Sequence, residues 1–94
     1  MILFSSDALS DIERVRNFLE IRNPQAAVRA MRAIWAVLGR VETMPHIGKP
    51  TKDRNIRQIV VRFGRRGYIV RYRVLPPDDA IFVTRIWHGR EARD

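Results

Sequence analysis

The apolar positions along the chain change period twice, and the changes divide it into elements. "ILFSS" (2–6) is a short apolar run that stops at two serines, which predicts a brief strand. Ser5 or Ser6 can then cap a helix, with Asp7 and Asp11 near its positive end. From Asp7 to about Arg22, Ala8, Ile12, Val15 and Leu19 recur at helical spacing, and Glu13, Arg14, Arg16 and Glu20 fall largely outside that stripe. "NP" (23–24) breaks the pattern and restarts it, because Asn23 can cap and Pro24 suits a first helical position. A second stripe of Ala27, Ala30 or Met31, Ile34, Leu38 and Val41 predicts a helix over 24–43. Ala26, Ala27, Ala30, Ala33 and Ala36 let a partner approach closely, and the connection is so short that the helices form an antiparallel hairpin. Trp35 lies just off the stripe and reads as a filler of the core or hairpin.

"MPHIGKPTKD" (44–53) holds two Pro and one Gly and reads as a loop, with His46 on its surface. Beyond it the period becomes two. In "RQIVVRFGRRGYIVRYRVL" the segment Gly64-Arg65-Arg66-Gly67 is expected to join two strands. With Phe63 facing Tyr68, Val61 facing Val70 and Ile59 facing Tyr72, one side is apolar. The other side holds Gln58, Val60, Arg62, Ile69, Arg71 and Arg73. "PPDD" (76–79) is the next turn and "AIFVTRIWH" (80–88) the last strand, apolar on both parities. The preferred register points Phe82 and Ile86 inward and puts Arg85 with the open-face arginines; a slip of one residue would turn Arg85 toward the helices, where it would need a buried partner. Gly89 allows a turn after Trp87 and His88, and Arg90, Glu91 and Arg93 fall on a short tail. The expected layout is α+β, in the order β-α-α-β-β-β: a helical hairpin on one face of a largely antiparallel four-stranded sheet, in one domain over 1–94.

Charge gives the open face a possible use. The net charge is +8, and sixteen of the eighteen basic residues are Arg. Arginine forks favour ordered contacts with phosphate or carboxylate. Residues 1–50 carry a net +2 and residues 51–94 a net +6, so the second half is the anion-facing one. With no Cys and two His, thiol chemistry is excluded and neither a metal site nor a cofactor is expected. The apolar start, Met1 to Phe4, is too short for a signal peptide, and no run approaches the roughly 20 apolar residues of a membrane span. A cytoplasmic protein is the expectation.

Four stretches, "FSSDALSDIERVRNFLEIRNPQAA", "VETMPHIGKP", "GYIVRYRV" and "IWHGRE", stand in an order and spacing that resemble the RelE/ParE superfamily of bacterial toxins. The resemblance covers nearly the whole chain and implies the fold just described. It also implies a toxin–antitoxin hetero-oligomer, with a cognate antitoxin masking the open face, the helical hairpin, or both. Two activities occur in the family: RelE-like members cut messenger RNA on the ribosome, and ParE-like members inhibit DNA gyrase by protein contact.

Ribonuclease members tend to carry an arginine after the tyrosine that opens the central strand, where this chain has Ile69. They also tend to carry lysines on alternate open-face positions of the preceding strand, here Val60 and Arg62. "IWHGRE" resembles the His-Gly corner of the ParE-like branch, which is therefore favoured. On that reading Arg62, Arg71, Arg73, Arg85, Trp87 and Arg90 are contacts for a target or anion. The alternative is a metal-independent ribonuclease, with His88 as acid or base and Arg71, Arg73 and Arg85 around the phosphate. A plain nucleic-acid-binding module is a third reading, weakened by the few aromatics on that face.

Overall fold

The computed structural model describes residues 1–90; Glu91 and Arg93, placed above on the tail, lie outside them. The chain runs β1 (Ile2–Phe4), α1 (Ser6–Arg22), α2 (Pro24–Thr43), β2 (Lys49–Pro50), β3 (Arg57–Val61), β4 (Tyr68–Leu75) and β5 (Ala80–His88). The sheet order is β1-β5-β4-β3-β2, with β1 parallel to β5 and every other pair antiparallel. The sheet thus has five strands rather than four, because Lys49 and Pro50, expected in a loop, pair with Gln58 and Arg57.

Both helices start where the sequence places their caps. The Ser5 Oγ accepts the Ala8 N–H at 3.0 Å, and the Asn23 Oδ1 accepts the Ala26 N–H at 3.1 Å, each satisfying an amide that the helix leaves over. Ala8 and Val15 of α1 are buried, as are Ala27, Ala30, Ile34, Leu38 and Val41 of α2. All of these but Ala27 form one cluster with Val61, Tyr68, Val70, Tyr72, Ile81, Val83 and Ile86 of the sheet. Each large aliphatic chain removed from water contributes about 1.5–3 kcal/mol. Trp35 is not such a filler: it is 49% exposed and meets the edge of Phe4 at 5.6 Å.

The loop after α2 is tied to the sheet by two side chains. The Tyr72 hydroxyl donates to the Pro45 carbonyl at 2.8 Å and accepts the Gly48 N–H at 2.9 Å. Arg57 donates to the carbonyls of His46 and Gly48 at 3.0 and 2.7 Å. These anchors bring Lys49 and Pro50 alongside β3. The His46 side chain itself is exposed, as expected.

Two registers differ from expectation. In the β3–β4 hairpin Val61 pairs with Tyr68, Ile59 with Val70 and Arg57 with Tyr72, a shift of two residues from the expected pairs. Strand side chains alternate, so a shift of two keeps every residue on its expected face and only lengthens the connecting loop. In β5 the pairing jumps from Arg71↔Arg85 to Tyr72↔Val83, leaving Thr84 as a bulge. Ile81 and Val83 therefore face the core before the bulge and Ile86 after it. Phe82 faces outward beside Arg73, contrary to the expected register.

Arg85 sits opposite Arg71 on the open face, yet it has a buried partner. β1 pairs with β5 only as far as Phe4↔Val83, so among the described residues no strand lies beside the β5 edge beyond that point. The start of α1 supplies the missing groups. The Ser5 N–H donates to the Val83 carbonyl at 2.9 Å, and its Oγ donates to the Thr84 carbonyl at 2.8 Å. Asp11, 4% exposed, accepts the Ile86 N–H at 2.8 Å and two bonds from the Arg85 guanidinium at 2.9 and 3.1 Å. Arg14 reaches both Asp11 and the Ile86 carbonyl at its outer limit, 3.4 and 3.5 Å.

Burial pushes the Asp11 carboxyl up, but the Arg85 hydrogen bonds, the Ile86 amide, the Arg85 charge and Arg14 together hold it below its ordinary 3.8. Asp11→Asn keeps the shape and removes the charge, so it is expected to cost about 1–3 kcal/mol at neutral pH, read from the urea midpoint. A carboxyl whose folded pKa lies below its unfolded one contributes stability above the unfolded value and loses it as pH falls through the folded value. The gap between the wild type and this variant is therefore full at neutral pH and narrows on acidification below about pH 4. Tyr72→Phe leaves the Gly48 amide and the Pro45 carbonyl without their partner. Its expected cost of about 1–3 kcal/mol should show in the same urea titration.

Candidate functional site

The last strand delivers the Trp-His-Gly-Arg corner to one end of the molecule, where it meets the β3–β4 loop and the second half of α1. Gly89 is required there by close approach. Its N–H donates to the Gly67 carbonyl at 2.9 Å, and a Cβ on Gly89 would collide with the Arg66 carbonyl. Gly67 has a φ of 66°, and a Cβ there would collide with the Val61 carbonyl. Two glycines thus lock the Arg65-Arg66 loop against the corner.

Between this corner and α1 lies a cavity of about 550 Å³ lined by Arg14, Val15, Phe18, Tyr68, His88 and Arg90. A second hollow of about 160 Å³ continues past Phe18 and Leu19 to Phe63, Arg65 and Arg66. Tyr68 is 3% exposed and packs edge-on against His88 at 5.4 Å and tilted against Phe63 at 5.8 Å. Burial pushes the Tyr68 hydroxyl pKa up, so it stays protonated at neutral pH. His88 Nδ1 accepts the Arg90 N–H at 3.1 Å, so a neutral His88 carries its proton on Nε2. Phe18 is 54% exposed, with the Arg22 guanidinium 3.7 Å from its ring centre.

The candidate residues fall into two groups on opposite faces of the sheet. His88 pairs with Tyr68 on the helix side, and Arg90 borders the same cavity. Arg71, Arg73, Arg85 and Trp87 have open-face parity, and Arg62 leads out of β3 on an exposed stretch. The fold therefore does not bring His88 together with Arg71, Arg73 and Arg85. Within the open-face group, Arg62 and Arg73 are exposed. Arg71 donates to Gln58 at 3.1 Å and lies 4.8 Å over Trp87, which is only 5% exposed; Arg85 is held by Asp11. Among the described residues, no cluster of His, Asp and Glu could hold a metal ion, and no helix is long and apolar enough to cross a membrane.

Sequence reasoning missed Phe18, Arg14, Arg65 and Arg66 as lining residues. The signal for Phe18 was present: it is an aromatic off the apolar stripe of an amphipathic helix. The others become visible only once the hairpin loop is folded against the corner.

Residues 2–93 match the family described as the ParE toxin of type II toxin–antitoxin system, parDE. Among curated relatives, Toxin RelE1 of Caulobacter vibrioides is 36% identical over 92 residues, covering 98% of this chain and 96% of that protein. Toxin RelE3 of the same organism is 36% identical over 86 residues, covering 92% and 90%. Two solved structures share the fold. The chromosomal ParDE system of P. aeruginosa has a TM-score of 0.69 at 17% identity, with 95% of each chain covered. The intact E. coli RelBE toxin–antitoxin complex has a TM-score of 0.66 at 19% identity, with 99% of this chain and 98% of that one covered. With the helical hairpin, the sheet order and the family match in agreement, the chain belongs to the ParE toxin family of type II toxin–antitoxin systems.

Proposed function

We propose that this toxin arrests growth by binding DNA gyrase through its exposed surface, in the cytoplasm, and that a cognate antitoxin neutralises it. The observation that carries the reading is the separation of His88 from the open-face arginines by the thickness of the sheet. Cleaving RNA without a metal requires an acid or base and a charge stabiliser on one phosphate. Contact with a protein has no such requirement. It uses dispersed exposed groups, and the open face supplies Arg62 and Arg73 beside the half-exposed apolar positions Leu3 and Val60. Trp87 is buried and Arg85 is engaged, so of the expected open-face contacts Arg62 and Arg73 carry the most weight.

The family, described as toxins of type II toxin–antitoxin systems, supports the antitoxin, as do the similar ParDE and RelBE toxin–antitoxin structures. A ribosome-dependent ribonuclease remains the second reading, favoured by one observation: His88 lines the cavity together with Arg14 and Arg90. The catalytic set would then be His88 with Arg90, rather than His88 with Arg71, Arg73 and Arg85.

Purified toxin is expected to block supercoiling by gyrase. His88→Ala should block it equally, and Arg62→Glu with Arg73→Glu should weaken the block about tenfold or more. A translating extract programmed with a defined message should show the message intact. Unimpeded supercoiling at excess toxin, with a message cut by the wild type and spared by His88→Ala, would establish the ribonuclease reading instead.

A further inference from the structure

Helix α2 carries a second stripe that the core does not use. At 100° per residue, Val28, Arg32, Trp35, Gly39 and Glu42 fall within an arc of about 80°, beside the buried stripe of Ala27, Ala30, Ile34, Leu38 and Val41. All five are exposed, Val28 at 52% and Trp35 at 49%. The stripe borders the edge strand β1. Trp35 meets the edge of the Phe4 ring, and the Glu42 carboxylate holds the Met1 amino group at 2.7 Å. Large apolar groups lined up on one exposed helix face suit a contact surface.

Gly39 is the unexpected residue of this stripe. Inside a helix glycine is disfavoured about fivefold relative to alanine. Among the described residues nothing offsets that. A Cβ at Gly39 would meet no atom within 4 Å, and Gly39 is not among the glycines of positive φ. Its missing side chain leaves a notch one helical turn from the Trp35 indole. A bare backbone there serves a neighbour that comes from outside, since small residues let two helix axes approach to about 8 Å.

The stripe is complementary to itself. A second copy of α2 can lie antiparallel on the first, with a two-fold axis at the level of position 37. Trp35 then faces Gly39 of the partner subunit, and Arg32 faces Glu42 of the partner subunit. Both pairs are centred on position 37, so one axis matches shape and charge together, and each pair occurs twice. A different helix could fill the notch, but it would not require Arg32 and Glu42 to stand symmetrically about Trp35 and Gly39. Val28 comes to the level of Met44 of the partner subunit, a residue 50% exposed in the single chain. Among the described residues, no acidic side chain pairs with Arg32. The contact also lies in the less charged half of the chain: residues 1–50 carry a net +2 and residues 51–94 a net +6. Joining two copies there leaves the open-face arginines outside the contact and keeps repulsion low.

We propose that α2 pairs with α2 of a second copy across this stripe, forming a two-fold dimer with Trp35 seated over Gly39 of the partner subunit. The inference does not depend on which target the toxin has. One helix pair buries less than the roughly 800 Å² per partner of a standard interface, so the dissociation constant is expected at about 10–100 μM.

Sedimentation equilibrium of the intact toxin over a dilution series reads this directly. The mass should rise from one chain toward two, and acrylamide quenching of the exposed Trp35 should fall with it, while Trp87, 5% exposed, stays protected throughout. Gly39→Leu fills the notch at a place that is open in the single chain. Its circular dichroism and urea midpoint should hold, and its association should weaken about tenfold or more. Arg32→Glu alone and Glu42→Lys alone should each weaken association about tenfold, because each change puts like charges together twice. The two changes combined restore opposite charges and should return the affinity to within about threefold of the wild type. The mass of one chain at every concentration up to about 500 μM would overturn the proposal. So would association untouched by Gly39→Leu, or a combined variant no better than its parts.

Discussion

An incomplete sheet edge is the constraint on which the rest of this structure depends. β1 is three residues long and covers β5 only as far as Val83. The next five residues of β5 would otherwise present backbone groups with no strand beside them, an arrangement that invites pairing with other chains. The protein closes that edge with side chains from the start of α1: Ser5 for the Val83 and Thr84 carbonyls, Asp11 for the Ile86 amide, and Arg14 at the Ile86 carbonyl. Ser5 serves two ends at once, since the Oγ that donates to Thr84 also accepts the Ala8 N–H that starts the helix. Asp11 can remain ionised while buried because a bidentate arginine and a backbone amide outweigh the cost of its desolvation. One carboxylate thereby fixes the helix, the edge strand and the Arg85 guanidinium relative to one another.

The Thr84 bulge follows from the same arrangement. It lies where β1 ends and α1 begins, and its carbonyl and hydroxyl are both used: the carbonyl accepts from Ser5, and the hydroxyl donates to the Arg71 carbonyl at 3.2 Å. The bulge changes the parity of β5, so Ile81, Val83 and Ile86 can all face the core. It also turns His88 to the helix side while Arg85 and Trp87 stay on the open side. One extra residue in β5 therefore sets His88 on the helix side and Arg85 opposite Arg71 on the open side.

This accounts for what the sequence made legible and what it did not. The helices, their caps and their apolar stripes could be read because each depends on residues three or four apart. The face assignment of β3 and β4 was legible too. Their pairing was misread by two residues, an error that an alternating pattern cannot expose and that leaves every side chain on its proper face. β5 was ambiguous for a physical reason: apolar residues on both parities are what a bulged core strand requires. Asp11 looked like a favourable charge near the positive end of a helix, and Arg85 and Ile86, which it binds, lie 74 and 75 positions away. Arg85 looked like one of several free open-face arginines, and nothing local shows that it is committed elsewhere. The candidate site shares this limit. His88 and Arg90 were visible as a motif, whereas Phe18, Arg65 and Arg66 join them only through long-range packing.

A count of arginines consequently overstates how much cationic surface is available for binding. Arg57 is spent on the loop after α2, Arg71 on Gln58 and Trp87, and Arg85 on Asp11. Each of these ties one element of the chain to another. Arginine suits this structural work because its planar fork makes several directed bonds from one side chain at little added entropy cost. Arg54, Arg62, Arg65, Arg66, Arg73 and Arg90 are the exposed remainder among the described residues of the second half. Arg62 and Arg73 belong to the outer sheet face, and Arg65, Arg66 and Arg90 to the two hollows under the corner. A molecule organised in this way has two separate cationic surfaces. A ligand held on one would not compete for the arginines of the other.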